Sequence, residues 1–135
     1  VGKKKAIEFD GWDDPNFVPA PQIFYDHYMA HLTLAETRIL LYLFRRTYGF
    51  QRSSDTISIS QMCKGMKSAD GRRLDDGTNM SKRSILPALK SLEEKGMIKR
   101  ERQSDHLVGD KPTRYSLRFR GDPPMDRKIR KAAWK

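Results

Sequence analysis

Cysteine is nearly absent: Cys63 is the only one in 135 residues. A lone thiol excludes an internal disulfide and any zinc cage built on cysteine. Long apolar runs are missing as well. The longest, Ile39-Leu40-Leu41-Tyr42-Leu43-Phe44, falls far short of the roughly 20 residues a spanning helix needs, so no membrane partner is expected. The opening residues do not read as a signal peptide, because Glu8 and Asp10 interrupt the apolar stretch after Lys3-Lys4-Lys5. The cytosol is the expected compartment. Acid is in deficit, with 17 Asp and Glu against 27 Lys and Arg, a net charge of +10. That balance points to a polyanionic partner, most often nucleic acid.

The surplus is uneven. Residues 111–135 hold nine Lys and Arg against two Asp, a net +7, while the middle of the chain is nearly balanced. The length suits one domain with appended arms. Residues 1–16 read as an N-terminal arm, 17–120 as the folded module and 121–135 as a basic linker or tail.

Within the module, Pro21 to Ala30 predicts a short helix with Ile23, Phe24 and Met29 available for burial. Thr33 and Glu36 form a T-x-x-E capping box. Ile39, Leu40, Leu43 and Phe44 follow at helical spacing, Arg45 and Arg46 suit the last turn, and Gly49 can stop the helix in the left-handed region. Thr56-Ile57 reads as a short strand. Ser58 and Gln61 make a second capping box, before a helix from Ile59 to Lys64 that buries Ile59 and Met62, with Cys63 as a small core residue. Asp70-Gly71 and Asp76-Gly77 mark residues 65–78 as a loop or small hairpin. Ser81 caps a third strong helix, about Lys82 to Lys95, with Met80 and Ile85 as a staple and Ile85, Ala88, Leu89 and Leu92 as its core stripe. Gly96 ends it. Met97 to Gln103 and Thr113 to Phe119 read as a hairpin, the second strand turning Tyr115, Leu117 and Phe119 to one face.

This order predicts a mainly α, α+β fold with a small β-hairpin wing: a winged helix-turn-helix. In such modules the last helix enters the major groove and residues near its N-terminus meet base edges. Opposite the core stripe that helix carries Arg83, Pro87, Lys90, Ser91 and Glu94. Arg83 leads the base-reading set, since a guanidinium can engage guanine with two hydrogen bonds. Ser84 and Pro87 accompany it, and Ser84 is also placed to touch the backbone. Ser81, Lys82 and Lys90 on the helix, Lys111 and Arg114 on the wing, and Arg127 and Lys128 in the tail are the expected phosphate contacts. Pro87 removes an amide from the helix interior, which predicts either a bend or a helix that starts later.

Other features have plainer readings. His27 and His31 are spaced for zinc on a helix, but no adjacent Glu or third ligand accompanies them, so no metal is expected. Asp70, Asp75 and Asp76 read as turn residues. Tyr48, Phe50 and Tyr115 read as packing. The tail can follow phosphates, extend a dimer helix through Ile129 and Trp134, or serve as a linker. No catalytic constellation and no cofactor site is expected.

Four segments carry a family likeness: Arg46-Thr47-Tyr48-Gly49-Phe50; Ser54 to Gln61; Gly77 to Ile85; and Ala88 to Ile98. Together they resemble the N-terminal DNA-binding domain of phage replication protein O, over roughly residues 17–119, with the 65–78 insertion and Pro87 as departures. The resemblance implies binding of double-stranded DNA at an origin by a replication initiator. It also implies a separate region that recruits helicase-loading proteins, expected outside residues 1–135. Monomer and homodimer binding both stay open. A winged-helix transcriptional regulator and a protein-interaction winged helix in a replication assembly are the alternatives.

Overall fold

The computed structural model describes residues 7–12, 16–102 and 112–119. After Pro21, α1 (Gln22–Asp26) gives way to a 3-10 turn (Tyr28–His31). His27 lies between them at φ −137° and ψ −60°, which breaks the α ladder. The single helix expected here is therefore two short pieces. Of its three apolar candidates only Phe24 is buried; Ile23 and Met29 stay exposed. The rings of His27 and His31 stand 5.0 Å apart on this bent segment.

α2 (Leu34–Arg46) begins at the predicted capping box. The Glu36 amide donates to Thr33 Oγ1 at 3.1 Å, and the Thr33 amide to Glu36 Oε1 at 2.9 Å. Ile39, Leu40, Leu43 and Phe44 all reach the core. The helix ends one step differently from expectation. Thr47 donates its hydroxyl to the Leu43 carbonyl, a 3-10 turn (Tyr48–Phe50) follows, and the left-handed residue is Gln51 at φ 58°. Gly49 sits inside that turn, where an added Cβ would lie 2.7 Å from Arg45 Nη1.

β1 (Ser54–Ile57) leads into α3 (Ile59–Lys64), whose Ser58–Gln61 capping box closes at 3.1 and 3.4 Å. α4 (Lys82–Glu94) starts at Ser81, which accepts from the Ser84 amide at 3.2 Å. It runs on through Pro87, so a later start is ruled out, and Pro87 is exposed. Ile85, Ala88, Leu89 and Leu92 are buried as a stripe, and Gly96 at φ 75° follows the helix. β2 (Ile98–Arg102) and β3 (Thr113–Leu117) pair antiparallel from Ile98 opposite Leu117 to Arg102 opposite Thr113. β1 pairs with the other edge of β3, giving a three-stranded sheet in the order β1-β3-β2. Tyr115 on the central strand is buried, and Leu117 and Phe119 pack against the core on its side. Helices α2, α3 and α4 enclose the core with this sheet, a winged-helix-like α+β arrangement.

The 65–78 segment is a small hairpin between α3 and α4. Lys67 and Arg73 bridge antiparallel, and the Ser68 amide donates to the Arg72 carbonyl at 2.7 Å. Its ends close tightly. The Gly65 amide bonds the Gln61 carbonyl at 2.7 Å, and the Thr78 amide and hydroxyl both bond the Met62 carbonyl, at 2.9 and 2.8 Å.

Candidate nucleic-acid interface

α4 presents an open face because one stripe of it is consumed by the core. Lys82, Arg83, Ser84, Pro87 and Lys90 are all exposed. None of the side chains of Lys82, Arg83 and Lys90 pairs with a described residue. Leu86 interrupts the polar face at 41% exposure. At the N-terminus, Ser81 and Ser84 are joined through their hydroxyls at 3.2 Å. The first-turn amides of α4 and two cations thus share one end of the helix, a combination suited to anionic oxygen.

Ser91 does not belong to that face, contrary to the helical-wheel expectation. Its hydroxyl donates to Glu36 Oε2 at 2.6 Å, so it turns toward α2. Lys95 reaches the same oxygen at 2.5 Å. Burial pushes the Glu36 carboxyl up, but hydrogen bonds from Lys95, Ser91 and the Thr33 amide outweigh it and hold the group at about 2. A capping residue of α2 therefore doubles as the clasp on α4, fixing the angle at which the open face stands.

The wing is braced to the same helix. Arg100 on β2 pairs with Glu93 on α4 at 2.7 Å, and Arg118 after β3 donates to the Gly96 carbonyl at 3.3 Å. Arg114 on β3 is exposed, 4.0 Å from Glu101 across the ladder. Lys111, Arg127 and Lys128 lie outside the described residues.

A second polar cluster was not legible in the sequence. Arg46, 3% exposed, donates to Asp55 Oδ2 at 2.8 Å, to the Tyr42 hydroxyl at 2.9 Å and to Gln61 Oε1 at 3.4 Å. Burial pushes the Tyr42 hydroxyl up, partly offset by Arg46. Tyr42 thus keeps its proton and donates it to Asp75 Oδ1 at 3.1 Å. Asp75 also accepts from the amides of Gly77 at 2.8 Å and Met66 at 3.3 Å. One chain of bonds therefore joins α2, β1, α3 and the hairpin. The i, i+4 spacing of Tyr42 and Arg46 is the only sequence signal of it; Asp75 gives none.

No helix among the described residues is long and apolar enough to cross a membrane. No curated protein and no solved structure matches the chain. The family model for bacteriophage replication protein O matches residues 14–110, most of the module just described. The chain belongs to the bacteriophage replication protein O family, and its role is accordingly a replication-related one.

Proposed function

We propose that residues 17–120 are the sequence-specific double-stranded DNA-binding module of a phage replication initiator. The observation that carries this is the open face of α4. Three cations without described partners are held there on a helix clasped from behind by Glu36 and flanked by a braced wing. α4 enters the major groove, Arg83 reads a guanine edge, and Ser84 and Pro87 contact the neighbouring bases. Ser81, Lys82 and Lys90 hold phosphates on either side of that groove, and Arg114 and Lys111 bring the wing to the adjacent backbone. Arg127 and Lys128 in the tail 121–135 add sequence-independent affinity, and residues 1–16 form an arm outside the module. Helicase-loading proteins are recruited by regions other than this module. No step needs a catalytic group or cofactor; the work is recognition.

Selection of bound sequences from random duplex DNA tests the reading. A single enriched motif, occurring as clustered repeats near a replication gene, is the expected result. A motif confined to a promoter supports a transcriptional regulator instead. Absence of any enriched duplex overturns DNA recognition and favours a protein-interaction role, for which exposed Leu86 on the outer face of α4 supplies the anchor.

A further inference from the structure

The hairpin between α3 and α4 is more tightly built than a spacer needs to be. Gly65 and Gly77 adopt φ +97° and +67°, and they pack so closely that a Cβ on Gly65 would lie 1.9 Å from the Asp75 carbonyl oxygen. A Cβ on Gly77 would lie 2.5 Å from the Gly65 amide nitrogen. Asp75 fills the base of the hairpin with bonds to two of its amides and to Tyr42. Arg73 donates to the Lys64 carbonyl and so staples the returning strand to the end of α3. The segment is thereby ordered in advance, and little conformational entropy remains to be lost on binding a partner.

Its charges divide into two groups. Every carboxylate has an internal partner: Asp75 as described, Asp70 with Ser68 and the Arg72 amide, and Asp76 with Arg73 at 3.9 Å. Lys67 and Arg72, together with Lys64 at the end of α3, are exposed, and none of their side chains pairs with a described residue. The hairpin closes at Thr78, three residues before the Ser81 cap of α4. The three cations thus stand at the end of α3 and on the connection that leads into the helix end bearing Lys82 and Arg83.

We propose that this hairpin and the end of α3 form a second DNA-contacting element, in which Lys64, Lys67 and Arg72 bind backbone phosphates beside the groove occupied by α4. This rests on the DNA-binding reading of α4 and extends its footprint. The contacts are to phosphate, so they add affinity for every duplex and leave sequence preference unchanged.

The test is the salt dependence of binding by the triple variant Lys64→Gln, Lys67→Gln, Arg72→Gln. Its probes are a labelled duplex recovered by selection and a shuffled duplex of the same composition. Loss of three phosphate contacts should make the slope of log K against log salt shallower by about 2 to 3. With the two salt lines meeting near about 1 M, affinity at about 0.1 M salt should fall by about 100-fold or more on the selected duplex, and the selected-to-shuffled ratio should hold. The substituted side chains are exposed, and an unaltered thermal melt shows that the fold is retained. A companion carrying Lys64→Arg, Lys67→Arg and Arg72→Lys should keep the wild-type slope. An unchanged slope in the Gln variant, beside normal wild-type binding, overturns the hairpin contact and leaves the α4 reading standing. Failure of the wild-type protein to bind either duplex overturns both.

Discussion

Glu36→Gln removes the charge from the clasp between α2 and α4 while keeping its volume. The carboxylate is almost wholly buried, and it accepts from Ser91, Lys95 and the Thr33 amide. Its folded value near 2 stands below an ordinary value of 4.5. The folded state therefore holds fewer protons than the unfolded chain in that window. The stability Glu36 contributes is fully present above about pH 4.5 and is lost as pH falls toward 2. A depression of this size corresponds to about 3 kcal/mol. Lys95 is 42% exposed, and solvent screening there reduces the figure to about 2 kcal/mol. Urea denaturation across this pH range, on wild type and variant, isolates the effect by difference, since the lowered Asp70 and Glu93 carboxyls are common to both. The gap should be about 2 kcal/mol near neutral pH and should close on acidification. A gap that stays constant down to the acid limit refutes the buried-carboxylate argument. It would mean that Glu36 acts through packing alone.

Two further outcomes follow from the same geometry. Gly65→Ala should destabilise the protein by about 2–4 kcal/mol in thermal or urea unfolding, because the new methyl meets the Asp75 backbone at a positive φ; an unchanged midpoint would show that the hairpin base is loose. Removing residues 122–135 should weaken binding to selected and shuffled duplexes alike and make the salt slope shallower; a loss confined to the selected duplex contradicts a phosphate role for the tail.

The parts of the fold that were legible in the sequence are those governed by local chemistry. Both capping boxes, the Ser81 cap and the buried stripe of α4 depend on residues a few positions apart, and they stand where spacing puts them. The misreadings have long-range or backbone causes. Ser91 turns inward because Glu36, 55 positions earlier, offers it a carboxylate. Gly49 did not stop α2 because a 3-10 turn carries the chain on to Gln51. Met29 lies beyond the break at His27 and stays exposed, and α1 buries Phe24 while its neighbour Ile23 stays at the surface. The edge strand β1 could not be assigned a partner from its own four residues, since its ladder runs to β3, about 60 positions on. The open cations of α4 could be read from helical periodicity alone. The role of Asp75 could not, because a turn-forming Asp and a carboxylate bonded to Tyr42 look the same in sequence.

In the proposed binding mode, Arg83 on α4 is the residue that reads duplex DNA. Its most direct test compares wild type and Arg83→Ala on the selected duplex and on the shuffled duplex at one fixed salt concentration. The variant should lose about 1–3 kcal/mol on the selected duplex and much less on the shuffled one, so that sequence preference flattens. Equal affinities for wild type and variant on the selected duplex would contradict it, and with it the placement of α4 in the major groove.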